Sequence, residues 1–369
     1  MPTSKPTTSP DELIFLGMFD ISRLGGAMSV RIVNLSQALQ ALGPVNVITG
    51  DRQTRRIELI RLVRAGRLRQ ARAIYVEAST SAAGETDILF LALAHWLKIP
   101  IVIFIPDGYQ LFPAIFPRQG WKMRLLDWGW RVSIASYQQF ANLLLFPSFG
   151  LAHCFKNKTE INVFPPAGLA GRPYLPLNWQ EPTVTYFGAA THRYGSDLLL
   201  EAMAQVVARF PQARCRFITN EASFLADHPA RYAPWLTVEA RTFAELPEIA
   251  AASTLMIAPL RVNTYNSLAM PVKLFDYMSF GRPTVATACH DMAQFVRQHQ
   301  VGIVVEDTVD ALATGILALL ENPELTTQLG RNAYDLVQTT HNWNARAAAL
   351  WQMISALEQK KEDAHSPHS

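Results

Sequence analysis

Cysteine is scarce in this chain: Cys154, Cys215 and Cys289 are the only three, odd in number and far apart, which excludes a disulfide framework and a CxxC metal site. Charge is scarce too, at 17% of the residues with a formal net charge of +3, too little for a surface built to coat nucleic acid. No Asp-x-Asp occurs, and the nine histidines form neither HxH nor HExxH, so no metal-bridged diphosphate site is expected. The opening MPTSKPTTSPDE has no apolar core of the kind a secretory signal carries, which leads to the expectation of a cytoplasmic protein.

Hydrophobic residues make up 49% of the chain, enough for two packed cores at a length of 369 residues. The apolar run 87–105 approaches the length of a membrane span, but Lys98 and Pro100 divide it into a helix and a short β-rich piece, IVIFI.

Strand-like and helix-like segments alternate from the start. LIFLG (13–17), a helix over 29–42, VNVITG (45–50), a basic helix over 56–69, AIYVEA (73–78), a helix over 86–97, IVIFI (101–105), a helix over 121–138, NLLLF (142–146) and INVF (161–164) follow one another. A proline-rich stretch without periodicity, 166–182, reads as a linker. The alternation then resumes with TVTYFG (183–188), CRFIT (215–219), LTVEA (236–240), LMIAPL (255–260), PTVATA (283–288) and GIVVE (302–306), with helices between. This order predicts an α/β protein of two doubly wound parallel-sheet domains, over 1–165 and 183–342, whose ligands sit beyond the carboxyl ends of the strands. A last helix from Trp343, with Ala347, Leu350, Ile354 and Leu357 in step, is expected to pack back across the domains.

The chemistry concentrates at Pro271-Val-Lys273-Leu-Phe-Asp276, which opens a helix after a polar loop and ends at Gly281-Arg-Pro283. Lys273 offers a positive charge to phosphate oxygens and Asp276 an acceptor to ribose hydroxyls, which suits a nucleoside diphosphate. The alternative is an intrahelical ion pair on a solvated face.

The run PVKLFDYMSFGRPTVAT resembles the donor-site signature of the retaining family 4 glycosyltransferases, Pro-x-Lys-Leu-x-Glu-Tyr-x-x-x-Gly-x-Pro-Val-Val. LPEIAAASTLMIAPL and YFGAATHRYGSDLLLEAM extend the similarity over most of 183–306. The resemblance implies a GT-B architecture, with an acceptor-binding first domain and a nucleotide-sugar-binding second one. It carries donor diphosphate contact to Lys273 and ribose contact to Asp276. It departs from the family where Asp276 replaces the glutamate and Leu268 stands in place of the second acid, which leaves the stereochemical outcome open. The Arg and Lys usual after the first glycine of the second domain are also out of register: Ala189 follows Gly188 and Tyr194 fills the lysine position, leaving Arg193 and Arg261 as candidates for phosphate.

In the first domain Gly25-Gly26 form a turn after the first strand that resembles the family's Gly-Gly near the reacting centre. Asp107, at the end of IVIFIP and before Gly108, is the candidate general base for an acceptor hydroxyl. This segment resembles bacterial polysaccharide glucuronosyltransferases, in which a strand-end Asp-Gly is the proposed base. The alternative is an aspartate capping its own turn. Glu77 is a lesser candidate.

Two basic, apolar stretches suggest a peripheral surface on anionic lipid: Arg55 to Arg72, with Ile57, Ile60 and Val63, and 112–131, with Trp121, Trp128 and Trp130. Ordinary amphipathic helices covering a sheet are the alternative. The expectation is thus a metal-independent, cofactor-free glycosyltransferase at the inner face of the cell membrane, using a nucleotide-sugar donor and a glycan or lipid-linked acceptor, without nucleic acid. The rivals are a non-catalytic nucleotide-sugar binder and a nucleotide-sugar epimerase of the same fold.

Overall fold

The structure is a computed structural model and describes residues 11–21, 27–156, 159–221, 225 and 228–363. The chain divides into two compact units, 1–165 with 343–369, and 166–342.

The first unit begins with β1 (Glu12–Gly17), α1 (Ala27–Gln40), β2 (Val45–Ile48), α2 (Arg52–Arg64), β3 (Ala71–Glu77), α3 (Glu85–Trp96) and β4 (Ile101–Phe104). It continues with α4 (Trp121–Phe140), β5 (Leu143–Phe146), α5 (Phe149–His153) and β6 (Glu160–Val163). All six strands are parallel, in the order β2-β1-β3-β4-β5-β6. The strands are continuous apolar runs because helices cover both faces: β4 and β5 are buried at every residue.

A buried polar cluster interrupts this core. Arg31 of α1 donates from Nε to both Glu77 oxygens, at 2.8 and 3.1 Å, and the Tyr75 hydroxyl donates to Glu77 at 2.5 Å. The Arg31 guanidinium carbon lies 3.6 Å from the centroid of Phe104. Burial pushes the Glu77 carboxyl up, against the pull of Arg31. A carboxylate so committed is a core acceptor, which removes Glu77 as a candidate base.

The helix expected over 56–69 runs instead from Arg52 to Arg64. Asp51 caps its start by accepting from the Thr54 N–H at 2.7 Å, and Gly66 at φ 72° breaks its end. Arg67 lies beyond it and pairs with Glu12 at 2.5 Å. Arg55 turns inward to Asp87 of α3, at 2.7 Å.

The second unit contains β7 (Thr183–Phe187), α6 (Ser196–Arg209), β8 (Arg214–Ile218), β9 (Leu236–Glu239), α7 (Leu246–Ala251), β10 (Leu255–Ala258) and α8 (Val272–Met278). It ends with β11 (Thr284–Thr287), α9 (His290–His299), β12 (Gly302–Val305), α10 (Val309–Leu320) and α11 (Pro323–Thr339). Its parallel sheet has the order β12-β11-β10-β7-β8-β9. The order reverses between β7 and β10, and a doubly wound sheet opens a ligand crevice at that reversal, outside the carboxyl ends of the two strands.

The proline-rich 166–182 segment is fastened to this second unit. Arg282, fully buried, donates to the carbonyls of Leu175, Pro176 and Ser253, and Leu169 N–H donates to Ser279 Oγ at 2.9 Å. Finally α12 (Trp343–Asp363) joins the first unit and packs on α1, burying Trp343, Ala347, Leu350 and Ile354. No helix among the described residues is long and apolar enough to cross a membrane. The 87–105 run is α3 and β4.

Candidate functional site

The reversal point of the second sheet is where Gly188, Arg193, Arg261 and Lys273 gather. β7 ends into Gly188, and β10 ends into Pro259 and Arg261. Two glycines let these loops meet. At Gly195, φ 71°, a Cβ would lie 1.7 Å from the Pro259 carbonyl oxygen. At Gly188, φ 156°, a Cβ would lie 3.1 Å from the Tyr186 hydroxyl and 3.3 Å from Lys273 Nζ. Asn266 ties the loops together by donating to the carbonyls of Arg261 at 2.7 Å and Arg193 at 3.2 Å.

Lys273 stands in the first turn of α8, a helix of seven residues preceded by Pro271. The helix stops short of Gly281 because Ser279 already caps it, and Gly281, at φ 68°, turns the chain away. The Lys273 ammonium lies 4.3 Å from the Tyr186 ring centroid and 5.7 Å from that of Tyr194. The Arg193 guanidinium lies 4.7 Å from the same Tyr194 ring and donates to its hydroxyl at 3.0 Å. Tyr194, standing where a lysine was expected, thus draws two cations onto one ring.

Burial lowers the Lys273 ammonium from an ordinary 10.5 to about 7. Asp276, also on α8, is buried, and burial raises its carboxyl from an ordinary 3.8 to about 8. The two do not pair with each other, and neither has a charged partner among the described residues. The intrahelical ion pair is therefore absent. An unpaired half-buried cation and an unpaired buried carboxyl are both costly, and a ligand with an anionic end and a hydroxyl end would relieve both.

Arg261 is placed differently. It donates from Nη2 to Asp197 at 2.7 Å and from Nη1 to the Asp307 carbonyl at 3.2 Å. Although burial pushes the Asp197 carboxyl up, the Arg261 hydrogen bond holds it below its ordinary value. His192 meets the same Asp197 oxygen at 2.8 Å. Arg261 thus ties the loop to Asp197 and Asp307.

Sequence reasoning missed Tyr186, Asp197 and Asn266. Only the tyrosine had a signal, standing two residues before Gly188 in a strand otherwise read as core.

Residues 181–322 match the family described as Glycosyl transferases group 1. The group 1 segment spans Gly188, Arg193, Lys273 and Asp276, and leaves the first unit outside it. No curated protein sequence matches the chain. Among solved structures, Anabaena Alr3699/HepE in complex with UDP is similar with a TM-score of 0.68 at 15% identity, covering 94% of this chain and 100% of that one. Sucrose-phosphate synthase from Thermosynechococcus elongatus gives 0.65 at 15% identity, over 95% and 100%. WaaG, a glycosyltransferase involved in lipopolysaccharide biosynthesis, gives 0.62 at 16%, over 92% and 98%. The fold is GT-B.

In the first unit Asp107 lies just beyond β4, half-buried, and its Oδ1 accepts the Gly108 N–H at 2.6 Å. Gly25 and Gly26 lie outside the described residues.

Proposed function

We propose that the protein is a glycosyltransferase that takes its sugar from a nucleotide-diphospho-sugar bound at the β7–β10 reversal of the second unit. The observation that carries this reading is Lys273, a half-buried ammonium seated on two tyrosine rings beside Arg193 and lacking a carboxylate partner among the described residues. Diphosphate oxygens would supply the missing counter-charge, and the charge developing on the leaving nucleotide would fall on Lys273 and Arg193. Asp276 would accept from ribose hydroxyls. The group 1 match over the same residues supports this reading. So does the likeness to HepE, whose structures hold UDP and UDP-glucose.

Asp107 is proposed as the base that deprotonates an acceptor hydroxyl. A glycan or lipid-linked acceptor fits the likeness to WaaG, and a metal has no part in the scheme. Leu268, standing where the family's second acid is expected, favours a second reading, a nucleotide-sugar binder without turnover.

Incubation with UDP-, GDP- and dTDP-sugars and mixed glycan acceptors, with and without EDTA, tests both readings. Transfer that survives EDTA and is lost in Lys273→Ala supports the enzyme. Tight binding of a donor without release of nucleotide supports the binder, and binding of no nucleotide sinks both.

A further inference from the structure

The outer face of the first unit, along α3 and α4, presents large apolar side chains to water. On α4, Trp121 is 72% exposed, Leu125 57% and Trp128 63%, and Val132 is exposed one turn on. Spacings of four, three and four residues place them on one stripe. Trp130, on the opposite side of the helix from this stripe, is buried, so the exposed tryptophans are not core residues in waiting. On the neighbouring helix, α3 exposes Leu89 and Trp96, seven residues apart. The helices are fixed as neighbours: Ala83 N–H donates to Ser133 Oγ at 3.0 Å, and the His95 and Phe140 rings lie 5.6 Å apart. An α4 stripe of four exposed large apolar side chains, two of them tryptophan, is uncommon on a surface that meets only water.

Its exposed charge is mostly positive. Lys122, Arg124 and Arg131 are exposed around the stripe, and Asp127, the one acid of α4, pairs with Arg118 at 2.6 Å. Across α3, whose Asp87 is engaged by Arg55, α2 adds exposed Arg52, Arg56 and Arg64, with Ile57 and Ile60 between them. Glu58 is paired with Arg61, leaving Glu85 as the exposed acid on α3. A second copy of this face would bring like charges together. An anionic bilayer complements them, and tryptophan is the side chain that settles at a boundary between headgroups and acyl chains.

We propose that the α3–α4 face docks on an anionic lipid bilayer, with Trp121, Leu125 and Trp128 entering the headgroup boundary and Lys122, Arg124 and Arg131 meeting lipid phosphate. The tryptophan-bearing half of α4 starts at the carboxyl end of β4, the end that carries Asp107. Arg118 braces the two by lying 5.4 Å from the Tyr109 ring centroid while pairing with Asp127. Docking therefore brings the rim around Asp107 close to the lipid surface. Only that consequence rests on the role proposed for Asp107.

Co-sedimentation with vesicles tests the proposal. The full-length protein pellets with phosphatidylcholine–phosphatidylglycerol vesicles, less so as salt is raised, and stays in solution with phosphatidylcholine alone. Lys122→Glu with Arg124→Glu weakens partition by about fivefold or more per residue. Trp121→Ser with Trp128→Ser abolishes it. Both variants alter exposed side chains, and unchanged circular dichroism and UDP affinity show that they are folded. Failure of the wild type to pellet with anionic vesicles, equal pelleting with neutral ones, or wild-type pelleting by both variants overturns the proposal. So does a tryptophan variant whose only change, by sedimentation velocity, is loss of a dimer.

Discussion

The Lys273 ammonium lies 4.3 Å from the centroid of the Tyr186 ring, and no carboxylate pairs with it among the described residues. An aromatic face attracts a cation weakly compared with a charged partner, which leaves Lys273 ready for phosphate. Lys273→Ala should therefore weaken UDP binding by roughly 10- to 100-fold, the value of a charged hydrogen bond at about 1.5–3 kcal/mol. Uridine, which lacks phosphate, should lose little. Calorimetry with both ligands checks this, and an equal loss for uridine would place Lys273 away from the diphosphate.

Asp276 and Lys273 should give the ligand-free protein a stability minimum near pH 7–8. The folded Asp276 keeps its proton up to about 8, whereas the unfolded chain releases it near 3.8, so this residue's contribution falls as pH rises between them. Folded Lys273 releases its proton near 7 and the unfolded chain only near 10.5, so its contribution rises across that window. Asp276→Asn should flatten the acid limb and Lys273→Met the alkaline one, in urea midpoints measured against pH. Profiles unchanged by either substitution would contradict the burial of both groups.

Asp107→Asn should lower sugar transfer by about 10²- to 10⁴-fold, the usual value of a general base, with donor affinity unchanged. Steady-state rates beside UDP-sugar binding measure this. Transfer at the wild-type rate would return Asp107 to a turn-capping role.

Arg31→Met should destabilise the first unit by about 3–5 kcal/mol, because it strands the buried Glu77 carboxylate. Adding Glu77→Gln should recover much of that loss. Denaturant unfolding of the single and double variants reads the difference, and additive losses would show that the two side chains act independently.

The strands were legible because fully covered parallel strands are unbroken apolar runs, and IVIFI and LLLF fall on β4 and β5. Helices α10 and α11 have no counterpart in the sequence reading. α10 is apolar nearly all round, burying seven residues from Leu312 to Leu320, so it lacks the one-sided stripe that marks a helix. At the site, Lys273 and Arg193 stood out as charges in motifs, but their meeting at Tyr194 depends on β10 lying beside β7, which no local pattern encodes. The same holds for Arg261, whose partner Asp197 is 64 residues away.

The first unit draws on both ends of the chain. Arg31 faces Trp343, Trp351 packs against Gly43, and Arg72 pairs with Glu358 at 2.8 Å. During synthesis the first six strands emerge long before α12, and the whole of the second unit follows them out of the ribosome. The earliest-made sheet therefore waits for its last helix while the later-made one already has everything it needs. A nascent chain stalled at Asn342 should leave α1 with an open apolar flank, the stretch on which a chaperone would act.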